Sequence, residues 1–246
     1  MKNQQLENNL SYLNLSYTRD NLKEMVASAA RKKLSHLDFL NAVIADETSA
    51  KQQRAAERRI KQARFPYIKT LDSFDWNHPD KINRDLVQHL FSLDFLDDHG
   101  NVAFLGKPGR GKTHLVLALA QHACTCGHSV RFDTAINIIN KLDAAQKNGN
   151  FNQVMRSFVN PSILVCDEIG YLPIDQRGAN LLFQVISSRY ERGSIIFSSN
   201  RAFNEWDTIF NNDKTIASAI LDRILHRCEV VLIEGDSYRM KERKAS

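Results

Sequence analysis

One octapeptide determines how the rest of this 246-residue chain is interpreted: Gly106-Lys107-Pro108-Gly109-Arg110-Gly111-Lys112-Thr113. It fits the pattern G-x-x-x-x-G-K-[ST], in which glycines let backbone N–H groups curl around phosphate. An apolar run over residues 102–105 precedes it and a helical pattern follows it, as a phosphate-binding loop between a strand and a helix requires. The pattern predicts nucleotide contacts along all eight residues and at the adjoining His114. A glycine-rich turn without function is the alternative.

Within that loop, two side chains have predicted roles of their own. Lys112 reaches the β- and γ-phosphates of a nucleotide, and the Thr113 hydroxyl is a ligand for Mg²⁺. The positive N-terminal end of the following helix adds to the attraction for phosphate. The sequence therefore predicts ATP and Mg²⁺ as cofactors.

Downstream of residue 66, short apolar runs alternate with helical patterns. The apolar runs predict five buried strands, at 102–105, 130–132, 163–166, 195–197 and 230–233. Helices are predicted between them near 112–124, 135–147, 176–191 and 214–226. This alternation favours an α/β fold with a five-stranded parallel sheet and helices on both faces. Ligands bind such sheets at the C-terminal ends of the strands.

Upstream of Pro66, the pattern is helical. Apolar residues at helical spacing predict a helix over 18–32, for which Thr18 can supply the cap. A second helix is predicted from Ser35, with Asp38 three residues later in the style of a capping box, and it should end before Pro66. We expect a small all-helical N-terminal domain over residues 1–66 and an ATPase domain over 67–246.

The net charge of +5 is confined to residues 51–64, which hold six basic side chains and one acid, Glu57. Positive and negative charges cancel in residues 1–50 and again in the remaining 182 residues. Phosphate backbones respond to such local charge density, so this segment is a candidate DNA contact; the alternative is a solvated helix face. The predicted DNA-binding residues are Arg54, Arg58, Arg59 and Lys61, with Lys141, Lys147 and Arg156 further along the chain.

Polar residues end two of the predicted strands. Asp167 and Glu168 follow four apolar residues, so Asp167 would hold Mg²⁺ through water and Glu168 would polarise the attacking water as a general base. Asn200 closes the next strand and could hold that water beside the γ-phosphate. Each has an ordinary alternative as a turn residue. From position alone, Arg223 and Arg239 could both be surface arginines.

Together these residues resemble the IstB family, ATPase helpers encoded beside the transposase in two-gene bacterial insertion sequences. The likeness spans almost the whole chain, including the P-loop with His114-Leu115, Asp167-Glu168-Ile169-Gly170, residues 187–193, Ser199-Asn200-Arg201 and Ser237-Tyr238-Arg239. The family is similar to the DnaC helicase loader and, more distantly, to the DnaA initiator. The resemblance implies a P-loop ATPase of the AAA+ type, hydrolysing ATP to ADP and phosphate.

The resemblance also implies roles for single residues. It makes Asn200 sensor 1, Arg223 the arginine finger offered to a neighbouring subunit, and Arg239 sensor 2. Helices over 135–158 would correspond to the insertion by which initiator-type ATPases touch DNA. The loop departs from the family at residues 107–110, where Pro-Pro-Gly-Thr is more common, but these positions supply backbone. Only 11 residues follow Gly235, so we expect a truncated or absent C-terminal lid.

Two functional classes remain open. In the first, the chain forms a homo-oligomer with ATP on double-stranded DNA, largely independent of sequence, and activates a cognate transposase. In the second, it is a DnaC-like replicative helicase loader. A metabolic P-loop kinase is a third alternative, but the predicted acids and Asn200 are typical of hydrolysis. No apolar run approaches the roughly 18 residues of a membrane span, and no signal-peptide core is visible. We therefore expect a cytoplasmic protein without a membrane partner.

Overall fold

The computed structural model describes residues 2–238. The chain divides into two compact units, Met1–Arg58 and Arg59–Ser246. Among the described residues, no helix is both long and apolar enough to cross a membrane.

The first unit is helical. It contains α1 (Lys2–Tyr12), α2 (Ser16–Lys32) and most of α3 (His36–Ala63). The cap predicted at Ser35 is confirmed, because the Ser35 hydroxyl accepts the Asp38 N–H at 3.2 Å. The cap predicted at Thr18 is wrong: α2 begins two residues earlier, and the Thr18 N–H instead donates to a carboxylate oxygen of Glu47 at 2.7 Å.

The second unit is built on a five-stranded sheet. The strands are β1 (Asn101–Leu105), β2 (Val130–Thr134), β3 (Ile163–Ile169), β4 (Ser194–Ser199) and β5 (Cys228–Leu232). Their order is β2-β3-β4-β1-β5, and every neighbouring pair is parallel. The prediction of a five-stranded parallel sheet is therefore confirmed.

Helices and short connections link these strands. The helices are α4 (Arg84–Leu90), α5 (Lys112–Thr125), α6 (Ala135–Lys147), α7 (Phe151–Val159), α8 (Gln176–Arg189), α9 (Trp206–Ile209) and α10 (Lys214–Leu225). Two 3₁₀ helices, Asp94–Leu96 and Phe203–Glu205, complete the described elements. The four predicted helices of this unit correspond to α5, α6, α8 and α10.

Both faces of the sheet are buried. On one face, Val102 and Phe104 of β1 pack in the same cluster as α5 and α4. On the other, Ala103 of β1 belongs to a cluster with α6, α8 and α10. Successive strand residues point to opposite faces, so burial on both sides explains the apolar runs in β1, β3 and β4. This arrangement gathers the C-terminal ends of the strands at one edge, where the candidate site lies.

Candidate functional site

The predicted phosphate-binding loop lies at the wall of a cavity of about 320 Å³ at the C-terminal edge of the sheet. Gly111 precedes α5 with a φ of 87°, and a Cβ atom there would lie 2.7 Å from the Phe74 ring. Both facts require glycine at this position. The side chain of Lys112 folds over the loop and donates to the Lys107 carbonyl oxygen at 3.0 Å. The cavity is lined by the loop from Gly109 onward and by His114, whereas Gly106, Lys107 and Pro108 lie outside its lining.

The two predicted Mg²⁺ ligands lie in direct contact. The Thr113 hydroxyl at the start of α5 donates to Asp167 Oδ2 at 3.0 Å, and Asp167 is only 3% exposed within β3. A carboxylate and a hydroxyl oxygen on adjacent rigid elements are hard oxygen donors of the kind that Mg²⁺ prefers. These residues therefore fit the metal that a bound nucleotide would bring.

Glu168 has an unusual backbone. Its φ is 62°, and the pairing of β3 with β4 changes register between Cys166 and Ile169. A positive φ is uncommon for residues other than glycine and costs of the order of 1–3 kcal/mol, so it persists only where surrounding contacts enforce it. Glu168 lines the cavity. The irregular backbone thus brings the predicted general base to the nucleotide side of the sheet.

Asn200 lines the same cavity, one residue after β4. Its Oδ1 atom is buried and has no hydrogen-bond partner within residues 2–238. Buried polar atoms nearly always have a partner, so an orphaned acceptor in a cavity wall suits a ligand or a bound water. The structure therefore brings Lys112, Thr113, Glu168 and Asn200 to one cavity. Asp167 does not line the cavity but contacts Thr113, which does.

Residues 67–79 form a wall of the cavity that sequence reasoning did not assign to the site. The cavity lining includes Tyr67, Lys69, Ser73, Phe74, Asp75, His78 and Pro79, together with Tyr171 and Tyr238. Two α5 side chains hold this segment in place. Gln121 accepts the Lys69 N–H at 3.1 Å and donates to the Tyr67 carbonyl at 3.0 Å, and His114 Nε2 lies 2.9 Å from the Thr70 carbonyl oxygen. The concentration of aromatic residues after Pro66 was the available sequence signal.

The surroundings of His114 lower the pKa of its ring. Burial lowers the pKa of His114 below its usual value, and nearby Lys69 lowers it further, although the bond to the Thr70 carbonyl acts in the opposite direction. The ring is therefore neutral at neutral pH. A neutral ring can donate one hydrogen bond to the Thr70 carbonyl without placing another positive charge beside Lys69.

Of the two predicted arginines, the structure describes Arg223. Arg223 does not line the nucleotide cavity; its guanidinium lies 4.9 Å from the Phe183 ring centre and donates to the Ala219 carbonyl at 2.9 Å. Its predicted role would require a second subunit. Arg239 lies outside the described residues.

The candidate DNA contacts differ in how well their charge is compensated. Arg54 pairs with Glu47 at 3.3 Å, Lys147 pairs with Asp143 at 2.7 Å, and Lys141 pairs with Asp133. Arg59 donates to a backbone carbonyl at 3.5 Å. In the part of the chain that the structure describes, no ion pair involves Arg58, Lys61 or Arg156, and all three are exposed. Of the DNA-binding set, these three have the charge most available to phosphate.

Comparisons with known proteins agree with this geometry. The family described as IstB-like ATP binding protein matches residues 8–246. An ATP-binding protein of insertion sequence IS21 from Pseudomonas aeruginosa is 38% identical over 240 residues, covering 98% of this chain and 90% of that relative.

Comparison with solved structures shows which known fold this chain shares. AMPPCP-bound DnaA from Aquifex aeolicus superposes with a TM-score of 0.58 at 21% identity, over 74% of this chain and 54% of that one. The DnaC helicase loader gives a TM-score of 0.53 at 20% identity, over 67% of this chain and 96% of the loader. At these identities the likeness establishes a shared AAA+ fold.

Proposed function

This chain belongs to the family of IstB-like ATP-binding proteins, and from that membership we propose that it hydrolyses ATP to drive a step of insertion-sequence transposition. The observation that carries the proposal is the convergence of Lys112, Thr113, Glu168 and Asn200 on one cavity, with Asp167 hydrogen-bonded to Thr113. Two carboxylates with different surroundings, a phosphate-binding lysine and an orphaned amide oxygen form a set suited to hydrolysis.

Each residue then has a distinct task. Lys112 and the backbone of the loop hold the β- and γ-phosphates. Thr113 and Asp167 would hold Mg²⁺, which supplies positive charge at the phosphate oxygens when it is bound. Glu168 accepts a proton from the attacking water, and the Asn200 amide oxygen orients that water. Positioning and electrostatic stabilisation account for most of the catalysis of phosphoryl transfer, which fits a site made of such fixed groups.

Two substitutions test the site. Lys112→Ala should abolish ATP binding, whereas Glu168→Gln should bind ATP normally and stop turnover, because the general base is lost while the metal ligands remain. Binding is measured by fluorescence titration with a labelled ATP analogue, and turnover by phosphate release. Lys214→Ala and Glu229→Gln alter exposed residues of the same types away from the cavity and serve as matched controls. Wild-type turnover in Glu168→Gln would remove Glu168 as the base.

We also propose that the protein assembles with ATP on duplex DNA and activates a cognate transposase. Support comes from the basic α3 segment and from relatives named as ATP-binding proteins of insertion sequences. An oligomer would repeat the basic segment in every subunit, so weak phosphate contacts would add up to strong binding. No observation favours the helicase-loader alternative, because the likeness to that structure is one of fold.

A strand-transfer reaction tests this second part. Purified transposase, donor DNA and a target duplex are incubated with the wild-type protein and ATP, and joined products are counted. Integration should depend on the wild-type protein and fall to the transposase-only level with Lys112→Ala. Equal integration in the presence and absence of the wild-type protein would reject the role as activator.

A further inference from the structure

Ser198 contacts both acidic residues of the site. It is 1% exposed on β4, and its hydroxyl donates to Asp167 Oδ1 while accepting the Glu168 N–H at 3.1 Å. A serine hydroxyl has one proton and two lone pairs, so a single side chain can satisfy both bonds at once. Ser198 also lines the nucleotide cavity.

The backbone irregularity explains why Glu168 needs this contact. Regular pairing between β3 and β4 lapses after Cys166 and resumes at Ile169, which pairs with Ser199. The Glu168 N–H lies within that irregularity, and an unpaired buried N–H is costly. The Ser198 hydroxyl supplies the acceptor, so Glu168 keeps its φ of 62° without leaving a buried donor unsatisfied.

The neighbouring serine strengthens the same region. The Ser199 hydroxyl donates to the Ile169 carbonyl at 2.7 Å and accepts the Arg201 N–H at 3.1 Å. Asp167 is also held from the other side, because Thr113 of α5 donates to its second oxygen. Hydroxyls on two different elements thus fix the plane of the Asp167 carboxylate.

We propose that Ser198 is a positioning residue for ATP hydrolysis, which sets the direction of the Glu168 side chain and the orientation of the Asp167 carboxylate. The proposal rests on the ATPase function proposed above. Ser198 acts through the two acids and takes no proton from the water itself. Its removal should slow turnover and leave the phosphate-binding loop intact, since the loop's own contacts do not involve Ser198.

The test compares three serine variants. Ser198→Ala removes both hydrogen bonds, and Ser198→Thr keeps the hydroxyl. Ser194→Ala is the matched control, because Ser194 lies at the opposite end of the same strand, is equally buried, and its hydroxyl has no hydrogen-bond partner in the described chain. Turnover, affinity for a labelled ATP analogue and the thermal midpoint are measured for each.

Ser198→Ala should lower kcat by about 10- to 100-fold, the range expected when a catalytic group is misplaced by up to about 1 Å. Its affinity for the ATP analogue should stay near the wild-type value, and Ser198→Thr should recover most of the rate. Ser194→Ala should match wild type. A kcat for Ser198→Ala equal to that of Ser194→Ala would overturn the proposal.

Amide hydrogen exchange tests the hydrogen bond itself. Exchange at Glu168 should be faster in Ser198→Ala than in wild type, whether or not ATP is hydrolysed. Unchanged exchange would refute the role of Ser198. If wild type fails to hydrolyse ATP although exchange responds as expected, the proposed ATPase function fails and the hydrogen bond stands.

Discussion

Arg189, at the end of α8, offers the sharpest test of what holds the ATPase unit together. The side chain is 1% exposed, yet none of the ion pairs within residues 2–238 involves it. Burial lowers the pKa of Arg189 to about 10, so it remains charged at neutral pH. Its guanidinium donates at 2.8–3.0 Å to five backbone carbonyls, those of Phe158, Val159, Pro161, Ser162 and Ser194.

Arg189→Met removes all five bonds while keeping a side chain of similar length. The Ser162 carbonyl retains the Ser194 N–H, and the Ser194 carbonyl retains a ladder bond from β3, so three carbonyls lose a donor. At the lower end of about 1–3 kcal/mol for each unpaired buried group, the loss is roughly 3 kcal/mol. Removing the buried charge returns part of its desolvation cost. Because the acceptors are backbone atoms that no second substitution can replace, we expect a net loss of about 2–3 kcal/mol.

Urea denaturation followed by tryptophan fluorescence measures this loss. Both tryptophans, Trp76 and Trp206, belong to the unit that contains Arg189, so the signal reports on that unit. The thermal midpoint should fall by about 4–12 °C, from roughly 2–4 °C per kcal/mol for a chain of this size. Arg192→Met changes an exposed arginine nearby and should leave the midpoint unchanged. If the two variants unfold at the same urea concentration, the carbonyl contacts of Arg189 do not stabilise the fold.

Three other substitutions have defined outcomes. Gly111→Ala should abolish binding of a labelled ATP analogue, because φ is 87° and the new Cβ would meet the Phe74 ring; normal affinity would contradict this. Mixing Arg223→Ala with Lys112→Ala subunits should restore part of the ATPase activity, since an arginine finger acts on a neighbouring site; no rescue at any ratio would oppose that role. Duplex binding with a non-hydrolysable ATP analogue should weaken with salt, with a log–log slope near −0.9 per phosphate neutralised. A variant with glutamine at four basic positions of α3 should bind every duplex sequence more weakly and show a flatter salt slope; the positions are Arg54, Arg58, Arg59 and Lys61. Unchanged affinity and slope would make α6 and α7 the leading candidates for the DNA contact.

The sheet could be predicted from the sequence because the apolar pattern of a buried strand lies within the strand's own residues. Strands buried on both faces contain continuous apolar runs, so β1, β3 and β4 could be identified without knowledge of their neighbours. β2 and β5 were predicted from weaker signals, since β2 contains Arg131 and Asp133 and only Val231 of β5 is fully buried. The loop and the two acids could be identified for a similar reason, since the spacing of a phosphate-binding loop is fixed. The end of β3 could not, because the strand runs on to Ile169, where pairing with β4 resumes after a change of register.

The parts that could not be predicted depend on contacts between distant residues. An arginine in a sequence predicts an exposed side chain, and no neighbouring residue indicates that five carbonyls surround Arg189. In the sequence, Ser198 is only the polar end of an apolar strand, although in the structure it contacts two acidic residues that lie 30 or 31 positions earlier in the chain. Thr18 has the right chemistry for a cap, but α2 starts earlier and the Thr18 N–H pairs with Glu47. In each case a tertiary partner decides a role that local propensity leaves open.

The wall formed by residues 67–79 gives the proposed function a physical route from nucleotide to DNA. The basic helix α3 ends at Ala63, and Tyr67 already lines the nucleotide cavity, so only three residues separate the helix from the site. Gln121 and His114 hold the wall against α5, whose first residues belong to the phosphate-binding loop. A bound nucleotide would fill the cavity and contact both the loop and the wall. Under the proposed function, nucleotide therefore acts on the basic helix through the backbone of residues 64–66 as well as through assembly of subunits.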